Sequence, residues 1–212
     1  MRSKGFFYNI KKVQGIKYVS LEFDGNIHNS TIGCEESKVI CEAFKLARKR
    51  NLPVVAFIVS AGIRVTEGTM ALMQMVKLTL AVKQHSKKGL LYIAVVGKPT
   101  LGGASASFVS LADIIIAKED CTYGFSGKRI VLSTTHEELP MDFQASGFAK
   151  KYGMVDIVSS DDEIDVVIKA DDTVVNYVSD LQKVTIPTSR GIIPITDVVD
   201  IVTDEGATSI TR

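Results

Sequence analysis

Apolar and polar residues alternate along Lys17-Tyr18-Val19-Ser20-Leu21-Glu22-Phe23, which predicts a strand ending at the turn residues Asp24-Gly25-Asn26. From Glu35 to about Asn51 the spacing changes, and Val39, Ile40, Ala43, Phe44 and Ala47 recur every three or four positions. Lys45, Arg48, Lys49 and Arg50 crowd the last turns, as an amphipathic helix with a solvated face requires. Pro53 closes the connection, and Val54 to Val59 is a continuous apolar run of the kind found in a strand buried on both faces. The pattern then repeats. Glu67 to about Gln84 reads as a helix with a Met-rich face, Gly89 as a break, and Leu90 to Val96 as a second buried strand. Met70, Met73 and Met75 are assigned to core packing, with a partner surface as the alternative.

After Gly97-Lys98-Pro99-Thr100, the small residues from Gly102 to Ser107 open a helix, and Ile114 to Ala117 is a further short strand. Strand, glycine turn and helix in repeated units point to βαβ crossovers and an α/β fold. Beyond Gly127 the strands shorten. Helices are predicted over Phe143 to Tyr152 and Asp161 to about Leu181, forming a helical appendage. Residues 1–212 are expected to form a single domain, with 184–212 as a C-terminal tail to which the pattern assigns no structure.

Composition narrows the function classes. Twenty-five basic against 24 acidic residues give a net charge of +1, so no bulk attraction to nucleic acid or an anionic membrane is expected. No apolar run approaches the length of a membrane span, and the first residues lack the pattern of a signal peptide, so a cytoplasmic location is expected. Cys34, Cys41 and Cys121 are odd in number and lack CxxC spacing, which argues against a disulfide framework or a zinc site.

Candidate chemistry sits in two glycine turns, Ser60-Ala61-Gly62-Ile63-Arg64 and Pro99 to Ser105, each following a buried strand. Small residues there let a substrate oxygen approach backbone N–H groups, as an oxyanion hole needs. The alternative is that the glycines only permit positive φ or close packing. A serine hydrolase would require a base near Ser105 or Ser107, and His28, His85 and His136 offer no such spacing; His85 is read as lying on a solvated helix end. Glu67, the acid a hydratase would use, reads better as a helix N-terminal residue.

Four motifs occur in order: PVVAFIVSAGIRVTEGTMALMQMVK, KPTLGGASASF, YGFSGKRIV and ELPMDFQASGFAKKYGMVDIV. Together they resemble the carboxyltransferase β subunit of bacterial acetyl-CoA carboxylase, over roughly Asn29 to Val158, about six tenths of the chain. The resemblance implies a crotonase-like (ClpP/crotonase) spiral of ββα units. It also implies transfer of a carboxyl group from carboxybiotin to acetyl-CoA, forming malonyl-CoA. Acyl-CoA would be the substrate, and biotin would ride on a biotin carrier protein, since no Met-Lys-Met motif is present. An α-type carboxyltransferase subunit would complete the oligomer. By the same resemblance Gly102, Gly103, Ala61 and Gly62 become the catalytic backbone positions, and Arg64, Ser105, Gly127 and Arg129 the substrate contacts; no metal is expected.

The chain departs from the family's pattern in three places. Its first turn reads Ser-Ala-Gly-Ile-Arg where the family usually has Ser-Gly-Gly-Ala-Arg, so Ala61 places a Cβ where positive φ would be strained and Ile63 adds bulk where an acyl group or a pantetheine arm would pass. Gly127-Lys128-Arg129 replaces Gly-Pro-Arg. No four-cysteine zinc ribbon of the kind common in the family is expected, since the sequence carries three cysteines. Competing readings are a malonyl-thioester decarboxylase subunit, another crotonase-like CoA-binding protein, and a non-catalytic scaffold subunit.

Overall fold

Ahead of the first predicted strand lies an antiparallel hairpin that the alternation does not announce. In the computed structural model, which describes residues 2–3, 5–13, 15–160, 185–188 and 191–194, β1 (Arg2–Ser3) and β2 (Phe6–Val13) precede β3 (Ile16–Phe23). Beyond Phe6, β2 is only partly buried or exposed, so no apolar face marks it in the sequence. Register runs from Phe6↔Phe23 to Val13↔Ile16.

Helix α1 (Cys34–Arg50) follows, then β4 (Val54–Ser60), α2 (Gly68–Leu72), α3 (Gln74–Ser86), β5 (Tyr92–Thr100), α4 (Gly102–Ser107), β6 (Ile114–Lys118), α5 (Lys128–Thr135), α6 (Ser146–Lys151) and β7 (Ile157–Ser159). One sheet orders β1 to β7 consecutively, and β3 to β7 are parallel throughout. Consecutive parallel strands joined by crossovers of one hand keep their helices on one face. The burial agrees: Val54, Ala56 and Ile58 of β4 pack with Val39, Ile40, Ala43 and Phe44 of α1 and Leu78 and Val82 of α3. Phe44 meets Tyr92 edge-on at 5.0 Å. Each large side chain so buried contributes about 1.5–3 kcal/mol relative to exposure. The opposite face carries a smaller cluster of Ile93, Val95 and Ile116, which explains why β5 reads as apolar on both sides.

Three features differ from expectation. The helix predicted from Glu67 is broken into a 3-10 turn at Val65–Glu67, α2 and α3. His85, expected on a solvated helix end, is fully buried, with Nε2 3.1 Å from the Leu91 carbonyl oxygen and its ring against Phe44. Helix α5 had no counterpart in the sequence reading, and it buries none of its residues.

The chain divides into two compact units, Met1–Ile164 and Asp165–Arg212. In the second, β8 (Thr185–Thr188) and β9 (Gly191–Pro194) pair as an antiparallel hairpin, giving the expected tail a local structure. The helix predicted from Asp161 to Leu181 lies outside the described residues. Among the described residues no helix is long and apolar enough to cross a membrane.

Candidate active site

Strands β4 and β5 end side by side. Their last paired residues are Ser60 and Thr100, and each carries a buried hydroxyl. Ser60 Oγ donates to the Ser30 carbonyl at 2.7 Å, and Thr100 Oγ1 lies 3.1 Å from the Ile58 oxygen and 3.0 Å from that of Gly97. The two glycine turns therefore leave the same sheet edge together, where open α/β sheets bind their ligands. The Leu101 N–H donates to the Ser60 carbonyl at 3.0 Å. A Cβ on Gly62 would lie 3.4 Å from the Gly102 Cα and 3.4 Å from the Gly103 nitrogen. That close approach, with φ of +111° at Gly62 and +62° at Gly102, is what requires glycine at both positions. Ala61 lies outside the left-handed region, so the alanine that departs from the family's pattern is accommodated without strain.

Hydrogen bonding sorts the amides of these turns. Gly102 N–H donates to the Phe125 carbonyl at 2.8 Å, and Gly62 N–H to Ser60 Oγ at 3.1 Å. The donors of two expected catalytic positions are thus already engaged. Ile63 sits in a parallel bridge with Ile32, closed by Ile32 N–H to Gly62 O and Arg64 N–H to Ile32 O, both 2.8 Å. In such a bridge the middle residue's own N–H turns away from its partner strand. Across residues 60–64 and 101–103, the N–H groups of Ala61, Ile63 and Gly103 are those without an acceptor among the described residues. Ala61 is exposed. Ile63 and Gly103 are in contact: a Cβ on Gly103 would overlap Ile63 Cγ1 and lie 3.0 Å from Met75 Sδ. The sequence reading missed Ile63 as a donor because a backbone amide leaves no trace in residue type.

Arg64, expected to touch substrate, is instead committed to the protein. Its guanidinium binds Glu36 at 3.0 Å and Glu67 at 2.9 Å, and it donates to Thr31 O at 2.8 Å and Thr31 Oγ1 at 3.2 Å. The two carboxylates reach on to the start of α1, where Glu36 Oε2 accepts from Gly33 N–H at 2.9 Å and Glu67 Oε2 from Cys34 N–H at 2.8 Å. That bond to Cys34, helped by Arg64, holds the Glu67 carboxyl below its ordinary range. Glu67 therefore works as an anchor for α1. Ser105 is also committed: its buried Oγ lies 2.8 Å from the Gly102 oxygen and 2.6 Å from that of Gly124. Ser107 Oγ donates to Gly103 O.

Gly127 caps α5 in open space, two residues beyond Phe125, whose carbonyl holds the second turn. Arg129 is exposed on that helix and has no ion pair among the described residues. Val65 in the 3-10 turn, Met70 and Leu72 on α2, Met73 between the helices, and Val76 and Leu80 on α3 form an exposed apolar surface, with Val65 88% exposed. Met70 and Met73 thus belong to this surface and not to the core, whereas Met75 is half-buried against Gly103. Among the described residues no group of three His, Cys, Asp or Glu side chains is placed to hold a metal ion.

The sequence and the fold are similar to those of known proteins. The chain is 41% identical over 145 residues to the acetyl-coenzyme A carboxylase carboxyl transferase subunit beta of Clostridium botulinum strain Okra, covering 68% of this chain and 50% of the relative. It is 42% identical over 151 residues to the same subunit of Exiguobacterium sibiricum, covering 71% and 53%. It thus spans about half the length of the curated relatives it matches. Its fold superimposes on transcarboxylase 12S with methylmalonyl-coenzyme A and methylmalonic acid bound, at a TM-score of 0.69 and 25% identity over 75% of this chain and 31% of that one. A Pseudomonas malonate decarboxylase hetero-tetramer shares the fold at a TM-score of 0.65 and 15% identity, over 74% and 61%. The crotonase-like α/β architecture is common to these proteins. The model of the carboxyl transferase domain matches residues 2–208, nearly the whole sequence, and the chain belongs to that family.

Proposed function

We propose that this chain is the acyl-CoA-binding, β-type half of a biotin-dependent carboxyltransferase that makes malonyl-CoA from acetyl-CoA. The observation that carries the reading is the pair of acceptor-free amides, Ile63 and Gly103, on abutting turns at the end of adjacent parallel strands. With carboxybiotin as co-substrate, loss of its CO2 would leave the ureido nitrogen to take the α-proton of the acyl thioester; negative charge would move to the thioester's carbonyl oxygen, and the α-carbon would then bond the released CO2. Two fixed N–H groups aimed at that oxygen stabilise it without reorganisation. No nucleophilic side chain is needed, and the hydroxyls of Ser105 and Ser107 are engaged with backbone carbonyls.

Carboxybiotin, carried by a separate biotin carrier protein, supplies the carboxyl group. The chain's own residues bind and orient the thioester and polarise its carbonyl. Arg129, exposed on α5 four residues beyond Phe125, is the candidate contact for a CoA phosphate, because a guanidinium forks onto phosphate oxygens. Ala61 and Gly62 shape the first turn, and Gly102 positions Gly103. The exposed apolar surface on α2 and α3, which begins two residues beyond Ile63 and continues past Met75, supports an α-type partner subunit covering the site. Isolated exposed apolar residues are ordinary, but a contiguous set of this kind marks an interaction surface.

The test is reverse transfer. The assembled complex, given malonyl-CoA and a biotin acceptor, is expected to release acetyl-CoA only when both the α-type partner and the acceptor are present. Acetyl-CoA formed without any acceptor identifies a decarboxylase instead, and an assembled complex that binds no acyl-CoA identifies a scaffold.

A further inference from the structure

We infer that Ile63 and Met75 form a wall that restricts the acyl group to acetyl size. The inference rests on the proposed carboxyltransferase reading and names the substrate range of that same site. Ile63 Cγ1 lies where a Cβ on Gly103 would sit, Ile63 Cδ1 would lie 3.2 Å from such a Cβ, and Met75 Sδ 3.0 Å from it. The Gly103 nitrogen is one bond from that Cα. In the first turn of α4 the Cα–Cβ direction leans toward the same end of the helix as the N–H. An oxygen accepting this N–H sits about 2.9 Å from the nitrogen, so the carbon atoms attached to it come within van der Waals range of the two side chains.

The side chains are apolar and half-buried, and each stands on an anchored stretch of backbone. The backbone on both sides of Ile63 is bonded to Ile32, and Met75 stands on α3 beside the buried Gln74, whose Nε2 donates to the Met70 carbonyl at 2.7 Å. A fixed apolar wall excludes by volume. One methylene in such a pocket changes discrimination by about 10- to 200-fold. On this inference the wall leaves room for an acetyl group, and the added carbons of propionyl or butyryl groups meet Ile63 first.

The experiment compares kcat/KM for acetyl-, propionyl- and butyryl-CoA in the assembled enzyme with wild-type chain, Ile63→Ala and Met75→Ala. Each variant is expected to raise the propionyl-to-acetyl ratio by on the order of tenfold, with Ile63→Ala the larger and butyryl-CoA gaining a measurable rate. A ratio within about twofold of wild type in both variants overturns the inference. If Ile63→Ala fails to assemble, Met75→Ala decides by the same ratio. A wild-type complex with no biotin-dependent transfer would overturn the underlying reading, whereas transfer with an unmoved ratio overturns only the wall.

Discussion

The two glycine turns leave neighbouring strands at the same sheet edge, yet they are held by different forces. The first, residues 60–64, is anchored by charge: Arg64 bridges Glu36, Glu67 and Thr31, and the carboxylates continue to the N–H groups that open α1. The second, residues 99–105, is anchored by neutral groups. Gly102 N–H meets the Phe125 carbonyl, Ser105 Oγ sits between two carbonyls, and Thr100 Oγ1 closes the strand end. From each turn the proposed site takes one acceptor-free amide, that of Ile63 and that of Gly103. The lesson is that arginine in this motif serves positioning, and that one site depends on an ionic support and a packing support at once.

Gly103→Val breaks the comparison most severely. Its side chain would overlap Ile63 Cγ1 and crowd Met75, displacing both donors. A loss of about a hundred- to a thousandfold in carboxyl transfer is expected, the usual cost of one well-aimed oxyanion donor. Steady-state kinetics on a complex shown intact by sedimentation checks it.

Next in size is the contrast between the supports. Arg64→Met leaves Glu36, whose side chain is 4% exposed, without its cation, and one-sided removal of a buried pair costs about 3–5 kcal/mol. Ser105→Ala removes a neutral hydroxyl whose carbonyl neighbours lose a donor, costing about 1 kcal/mol. Urea unfolding should separate the two, and equal losses would mean that the turns are not differently held.

The smallest effect is that of acid. Glu67 accepts from Cys34 N–H and pairs with Arg64, so its folded pKa lies below the ordinary value. Its contribution is fully present above the ordinary carboxylate pKa and disappears as pH falls through the lower folded value. Protection of the Cys34 amide against hydrogen exchange should therefore weaken over that acidic window. Protection of the Gly102 amide, which rests on a carbonyl, should not follow it.

Much of this was legible in the residues. The period-3.6 run of α1 and the apolar runs of β4 and β5 fixed the α/β class, because burial on one helical stripe or on both sheet faces leaves a pattern. The motif order pointed to the family, and the two glycine turns to the site. The hairpin at Phe6–Val13 and helix α5 escaped because neither buries a regular apolar face. The roles of individual groups escaped for a different reason. Arg64 and Ser105 are residue types that suit a substrate, and only their partners in space show that they are occupied. Ile63 works through its amide, which every residue but proline possesses.

The pair of acceptor-free amides is the central claim, and it can be observed directly. The complex carrying 15N-labelled chain would be titrated with acetyl-CoA while the Ile63, Gly103, Gly62 and Gly102 amide resonances are followed. The account predicts downfield proton shifts at Ile63 and Gly103, with Gly62 and Gly102 little changed because their N–H groups already have acceptors. Saturable binding that shifts Gly62 and Gly102 while leaving Ile63 and Gly103 in place would contradict it.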